Sequence, residues 1–188
     1  MKTVFLSTMV VTLAEMGDKT QLLSFLLAAK FRRRIPIILG ILVATFGNHY
    51  LAGYVGTCIG SLCSPERLRW IAALSFFFFA AWALVPDTLS QNRRFLGGGV
   101  FLSTLIAFFL IEMGDKTQLA TVTLAMRYES LGAVVLGTTM GMMIANIPAV
   151  WMGEALVQRV NMNAMRWIAA GLFVLLGILA LFSGRALI

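Results

Sequence analysis

Hydrophobic residues dominate six stretches of the chain, and short polar or basic connections separate them. Because a transmembrane helix takes about 20 apolar residues, most of these stretches are long enough to cross a bilayer. Lipid offers no hydrogen-bond partners to an isolated strand, so we expect each stretch to be helical. The pattern therefore predicts an all-α polytopic membrane protein with six transmembrane helices, over Thr3–Ala29, Ile35–Gly60, Leu68–Val85, Phe95–Met126, Leu131–Leu156 and Met165–Ser183.

The composition agrees with this interpretation and argues against a soluble domain. Hydrophobic residues make up 60% of the 188 residues and charged residues only 12%, which is more apolar surface than a soluble domain of this size could bury. The net charge of +7 would suggest a nucleic-acid partner in a soluble protein. Here most basic residues lie in the connections, so we interpret them as topology signals and as contacts for the lipid bilayer, with no nucleic acid as a partner.

The chain repeats itself with a period of 97 residues. The octapeptide EMGDKTQL occurs as Glu15–Leu22 and again as Glu112–Leu119. The pentapeptide Arg69–Ala73 likewise recurs as Arg166–Ala170. Two copies of one helical unit are the simplest explanation of these matches.

We therefore predict two three-helix repeats, residues 1–91 and 98–188, within a single membrane domain. Since three is an odd number of spans, the second repeat enters the membrane from the opposite side, which makes it an inverted repeat of the kind common in secondary transporters. The first, third and fifth connections are the more basic ones, and Lys30 with Arg32–Arg34 is their densest cluster. The positive-inside tendency places these connections in the cytoplasm and both termini outside.

Each octapeptide presents acids and an amide on one side of a membrane helix, because residues three apart are neighbours on a helix surface. An ionised carboxylate at mid-membrane costs at least ~2.5–3.5 kcal/mol, so these acids need protons, lysines or a cation beside them. Carboxylate and amide oxygens suit hard cations such as Ca²⁺ and Mn²⁺. The candidate metal ligands are Glu15, Asp18, Gln21, Glu112, Asp115 and Gln118.

The charges of the two octapeptides suggest exchange chemistry. Each carries two acids and one lysine, so one divalent cation or two protons would neutralise both copies together. The alternative is structural, with the acids and lysines forming ion pairs that hold helices together. Secondary candidates are the counter-ions Lys19 and Lys116, the hydroxyls of Thr20 and Thr117, and His49 with its repeat partner Asn146, which either line the pathway or bond a neighbouring helix.

The doubled Glu-x-Gly-Asp-[Lys/Arg]-[Thr/Ser] signature, at Glu15–Thr20 and Glu112–Thr117, resembles that of the small divalent cation/proton exchanger family. That family includes Golgi manganese and calcium transporters and bacterial manganese exporters. The resemblance implies that the four acids of the signatures bind the cation, which is a transported substrate (Mn²⁺ or Ca²⁺) and not a cofactor.

The resemblance also implies export of a divalent cation from the cytoplasm in exchange for protons, and the short loops favour a manganese exporter of the bacterial inner membrane. Calcium as the main substrate remains an alternative, and so does a non-transporting membrane assembly protein. An intramembrane aspartyl protease would need two unlike acidic motifs, whereas these two are identical. We therefore expect a transporter and not an enzyme.

Overall fold

The computed structural model describes residues 1–85, 99–128, 130–152 and 162–182. These residues form α-helices and no strand, which confirms the all-α prediction for this part of the chain. Residues 92–97, which link the two predicted repeats, lie outside the described residues. So do Arg93 and Arg94 of the predicted third connection and Arg159 of the predicted fifth. The helices are α1 (Lys2–Glu15), α2 (Lys19–Phe31), α3 (Arg34–Leu62), α4 (Pro65–Ala83), α5 (Val100–Glu112), α6 (Lys116–Arg127), α7 (Leu131–Met152) and α8 (Met162–Phe182).

The first and fourth apolar stretches each form two helices, where the hydrophobic pattern alone suggested one. The breaks fall at residues 16–18, between α1 and α2, and at residues 113–115, between α5 and α6. Among the described helices, Arg34–Leu62 and Leu131–Trp151 are long and apolar enough to cross a membrane on their own. Val100–Glu112 and Arg166–Phe182 are apolar but shorter.

In the middle of helix α3, over residues 45–50, polar side chains are buried and aromatic side chains are exposed. Thr45, Asn48 and His49 are buried, whereas Phe46 and Tyr50 on the opposite face are about half exposed. A helix on the surface of a soluble protein shows the reverse distribution. The outer face of α3 is therefore suited to lipid, and its inner face brings hydrogen-bonding groups to the centre of the molecule.

Helices of one predicted repeat pack against helices of the other. Helix α3 packs against α5 and α6, the interrupted pair of the other repeat, and α7 packs in the same way against α1 and α2. Helices α3 and α7 also contact each other, and α4 lies against α8. Each interrupted pair is thus supported by a long helix from the other predicted repeat.

Two glycines allow the long helices to approach the interrupted ones closely. A Cβ atom added at Gly40 of α3 would lie 2.8 Å from Cβ of Thr104 in α5. A Cβ atom added at Gly137 of α7 would lie 2.8 Å from Cβ of Ser7 in α1. Small residues at such contacts let helix backbones meet in a membrane, where packing replaces the hydrophobic effect as the driving force.

We expect Gly40→Ala and Gly137→Ala each to destabilise the protein by about 1–3 kcal/mol, the usual cost of an overpacked core. The measurement is thermal unfolding of the purified protein in detergent. Gly171→Ala is the matched control, because a Cβ atom at this helical glycine meets nothing within 4 Å and alanine is the better helix former. A melting temperature unchanged in the first two variants would contradict the close contacts.

Candidate functional site

Each octapeptide lies where a helix is interrupted. Gly17 and Gly114 have φ angles of 84° and 75°, in the left-handed region that glycine adopts without steric cost. The N–H of the following aspartate donates to the carbonyl oxygen of the glutamate three residues earlier, at 3.0 Å in both copies. Asp18 and Asp115 then stand at the N-cap positions of α2 and α6, where the helix dipole favours a negative side chain.

The glutamines of the octapeptides bond to these breaks. The N–H of Gly17 donates to Oε1 of Gln21 at 3.0 Å, and the N–H of Gly114 donates to Oε1 of Gln118 at 2.7 Å. Nε2 of Gln21 also donates to the carbonyl oxygen of Ala145 in α7, at 3.0 Å. Both glutamine oxygens therefore satisfy backbone groups that the interrupted helix leaves open.

Three carboxylates from the two octapeptides meet in the interior. Glu15, Asp18 and Asp115 are all buried, and each offers an oxygen atom such that the three lie within 4.8 Å of one another. Oxygens that share one Ca²⁺ at about 2.3–2.6 Å lie at most about 5 Å apart. The donor set is hard and anionic, so the cluster fits a hard divalent cation.

The two lysines pair across the octapeptides. Nζ of Lys19 lies 2.7 Å from Oδ1 of Asp115, and Nζ of Lys116 forms the corresponding ion pair with Oδ1 of Asp18. The Lys19 side chain is 21% exposed and that of Lys116 only 6%. Both lysines thus face the cluster as counter-ions, and the cluster is closer to solvent on the Lys19 side.

Glu112 has a different environment from the other three acids. It is buried but does not belong to the group of close oxygens. Oγ1 of Thr45 donates to its Oε1 at 2.8 Å, and Nδ2 of Asn48 donates to its Oε2 at 3.2 Å. Asn48 also donates to the carbonyl oxygen of Phe109 at 3.0 Å. We call Thr45 and Asn48 the α3 clamp.

The corresponding positions of the other predicted repeat form no such clamp. The positions 97 residues beyond Thr45 and Asn48 are Met142 and Ala145, whose side chains cannot donate a hydrogen bond. Both carboxylate oxygens of Glu15 lack a hydrogen-bond donor within the described part of the chain. The octapeptides are identical, yet their glutamates have unequal surroundings. Thr45 and Asn48 are not among the site residues predicted from the sequence, although polar side chains inside an apolar stretch are the signal that could have revealed them.

The secondary candidates lie close to this centre but differ in their bonding. Oγ1 of Thr117 donates to Oδ2 of Asp115 at 3.4 Å, whereas Oγ1 of buried Thr20 has no partner among the described residues. Oγ of Ser24 in α2 donates to Oδ1 of Asn146 in α7 at 2.7 Å, and this bond links the two helices. His49 is buried, and both of its ring nitrogens lack a partner in the described ranges.

Comparisons with known proteins identify the family to which the chain is similar. The family model described as "Divalent cation/proton antiporter GDT1" matches the chain twice, over residues 3–91 and 100–187. No solved structure matches the chain. Because one family description fits both segments, it covers nearly the whole sequence, including both octapeptides.

Among the relatives is a protein of Vibrio cholerae serotype O1 named "Putative manganese exporter", which is 42% identical over 183 residues, covering 97% of this chain and 92% of that protein. The Arabidopsis thaliana "GDT1-like protein 5" is 26% identical over 91% of each chain. "GDT1-like protein 3" of Oryza sativa subsp. indica is 25% identical, covering 90% of this chain and 70% of its own. The family is one of membrane transporters and not of enzymes, and the chain belongs to it: it is a member of the GDT1 family of divalent cation/proton antiporters.

Proposed function

We propose that this chain is a secondary transporter that exports Mn²⁺ from the cytoplasm in exchange for protons. The cluster of Glu15, Asp18 and Asp115 carries the proposal, because it gathers buried carboxylates from both octapeptides within 4.8 Å. Transporters built from two repeats typically bind the transported ion at the interface between the repeats. Gln21, Gln118 and Glu112 remain predicted ligands, and each glutamine oxygen has a second lone pair beyond the one that accepts from glycine.

The architecture we propose is six spans in two inverted three-helix repeats, residues 1–91 and 98–188. Each interrupted pair, α1 with α2 and α5 with α6, forms one span. The reciprocal packing of α3 and α7 on these pairs supports the symmetry, and so does the double match to the family description. We place the protein in the bacterial inner membrane, with both termini outside and the Arg32–Arg34 connection in the cytoplasm.

The charge of the centre supports coupling between cations and protons. Glu15, Asp18 and Asp115 face two lysine ammonium groups, and Glu112 adds a further negative charge nearby. With every acid ionised, a net charge of minus two remains, which one divalent cation or two protons would neutralise. Burying uncompensated charge costs several kcal/mol. The centre without cation or protons is therefore the state least able to switch its access from one side of the membrane to the other.

Calcium is the second candidate substrate. The cluster offers only oxygen ligands, and such ligands suit Ca²⁺ as well as Mn²⁺. Manganese is preferred here because the relative with 42% identity is named for manganese export. The distinction is tested by comparing the two ions directly in one assay.

Reconstituted protein should move Mn²⁺ into liposomes faster than Ca²⁺, and a pH dye inside should report protons leaving as the cation enters. Glu15→Gln and Asp115→Asn should each reduce transport to the level of empty liposomes, because each removes a carboxylate of the shared cluster. Glu66→Gln is the matched control, since Glu66 is exposed in the first turn of α4. Wild-type transport by either cluster variant would contradict the shared site, and cation entry without proton movement would contradict exchange.

Replacing either lysine should change the pH dependence of cation binding. Lys19→Met and Lys116→Met each remove a positive charge beside an aspartate, so protons compete more strongly for the acids. The pH at which half of the sites bind Mn²⁺ should therefore rise, as measured by binding titrations across pH. Lys2→Met, on the exposed N-terminal turn, should leave the profile unchanged. Unaltered profiles in both cluster variants would show that the lysines do not act as counter-ions.

The α3 clamp should matter in one predicted repeat only. Thr45→Val keeps the shape of the side chain but removes the donor to Glu112, and hydrogen bonds to charged groups contribute about 1.5–3 kcal/mol. We expect Mn²⁺ affinity to fall roughly 10- to 100-fold, whereas Thr45→Ser should retain it. Thr57→Val makes the same change elsewhere on α3, where the hydroxyl donates only to the carbonyl oxygen of Tyr54, so it is the control and should have little effect. Equal losses in Thr45→Val and Thr57→Val would indicate a general packing defect.

A further inference from the structure

A cleft separate from the carboxylate cluster opens between α2, α7 and the start of α3. Its volume is about 800 Å³. Apolar side chains form its walls, and the connection between α2 and α3 brings three consecutive arginines to it. No acidic side chain lies among its described lining residues, which are Phe25, Ala28, Ala29, Arg32, Arg33, Arg34, Ile35, Pro36, Val150 and Trp151.

One of the three exposed arginines that line this cleft stacks on an aromatic ring. The guanidinium of Arg34 lies over the ring of Trp151 in α7, 4.9 Å from the ring centroid. Such stacking fixes the plane of the guanidinium and leaves its N–H groups free to bond outward. Arg34 thereby joins the start of α3 to the end of α7.

Arg32 lies at a backbone position that arginine rarely occupies. Arg32 has a φ angle of 52° at the C-cap of α2, a left-handed conformation that glycine or asparagine adopts at lower cost. It is the one non-glycine residue with a positive φ among the described residues. A strained position that carries a charged side chain suggests a role for that side chain beyond ending the helix.

We propose that this cleft binds one anionic phospholipid, with its phosphodiester held by Arg32, Arg33 and Arg34 and an acyl chain against the apolar wall. Three guanidinium groups supply charge complementarity and the hydrogen-bond geometry that phosphate oxygens prefer. The wall itself includes exposed apolar side chains, since Ile35 is 70% and Trp151 54% exposed, and a lipid tail can use that surface whereas a soluble anion cannot. Basic clefts between membrane helices are suited to such headgroups.

The test is native mass spectrometry of the purified protein in detergent, mixed with equal amounts of phosphatidylglycerol and phosphatidylcholine. Working with purified protein removes any effect of the arginines on membrane insertion. Wild-type protein should retain one phosphatidylglycerol in preference to phosphatidylcholine. Arg32→Asn, which suits the left-handed backbone but lacks the charge, should weaken retention about fivefold while leaving the melting temperature equal or higher. Arg32→Lys should weaken it less.

Arg67→Gln is the control, because Arg67 is an exposed arginine on α4 and not part of the cleft. An equal loss of lipid in this variant would overturn the proposal in favour of general surface charge. Displacement of the lipid by millimolar glycerol 3-phosphate or inorganic phosphate would overturn it in favour of a soluble-anion site. Equal retention of the two lipids by the wild-type protein would show that the cleft has no anionic ligand.

Discussion

The centre of this protein depends on two ion pairs that cross between the octapeptides, Lys19 with Asp115 and Lys116 with Asp18. In a low-dielectric interior an unpaired charge costs several kcal/mol, so each aspartate needs its lysine when no cation is bound. Each pair joins an aspartate of one octapeptide to the lysine of the other. Each aspartate therefore depends on the other predicted repeat for its counter-ion. The two predicted repeats are also joined by helix packing, because α3 contacts α5 and α6 and α7 contacts α1 and α2.

These ion pairs also determine which groups a bound cation would compete with. A cation bound by Asp18 and Asp115 must share or replace the two ammonium groups, so the lysines are alternative partners for the acids. Glu15 differs, because no described side chain or backbone group donates to its carboxylate. The carboxylate of Glu15 therefore gains most when a cation or a proton neutralises it. One of its oxygens lies within 4.8 Å of an oxygen of each aspartate.

The duplicated octapeptides suggested from the sequence that their acids lie together, and three of the four acids offer oxygens within 4.8 Å of one another. The hydrophobic pattern did not predict the breaks in the helices, where Gly17 and Gly114 have left-handed φ angles. Contacts between distant segments were not predictable in the same way. The donors to Glu112, which are Thr45 and Asn48, lie more than sixty residues away in the chain, and an identical octapeptide gives no sign that its neighbours differ. The crossing of the lysines likewise depends on how the helices pack.

In the exchange that we propose, between inward- and outward-facing states, the unequal surroundings of the two glutamates would have a consequence. In a perfectly symmetric pair of inverted repeats, the two states would have the same free energy apart from the membrane potential. Here the α3 clamp donates to Glu112, and the corresponding positions, Met142 and Ala145, offer nothing to Glu15. A conformational change that exchanged the roles of the two octapeptides would break bonds on one side without forming equivalent bonds on the other. Under the proposed exchange, the two states would therefore differ in free energy, and cation and proton binding would act on an equilibrium already biased by two side chains of α3.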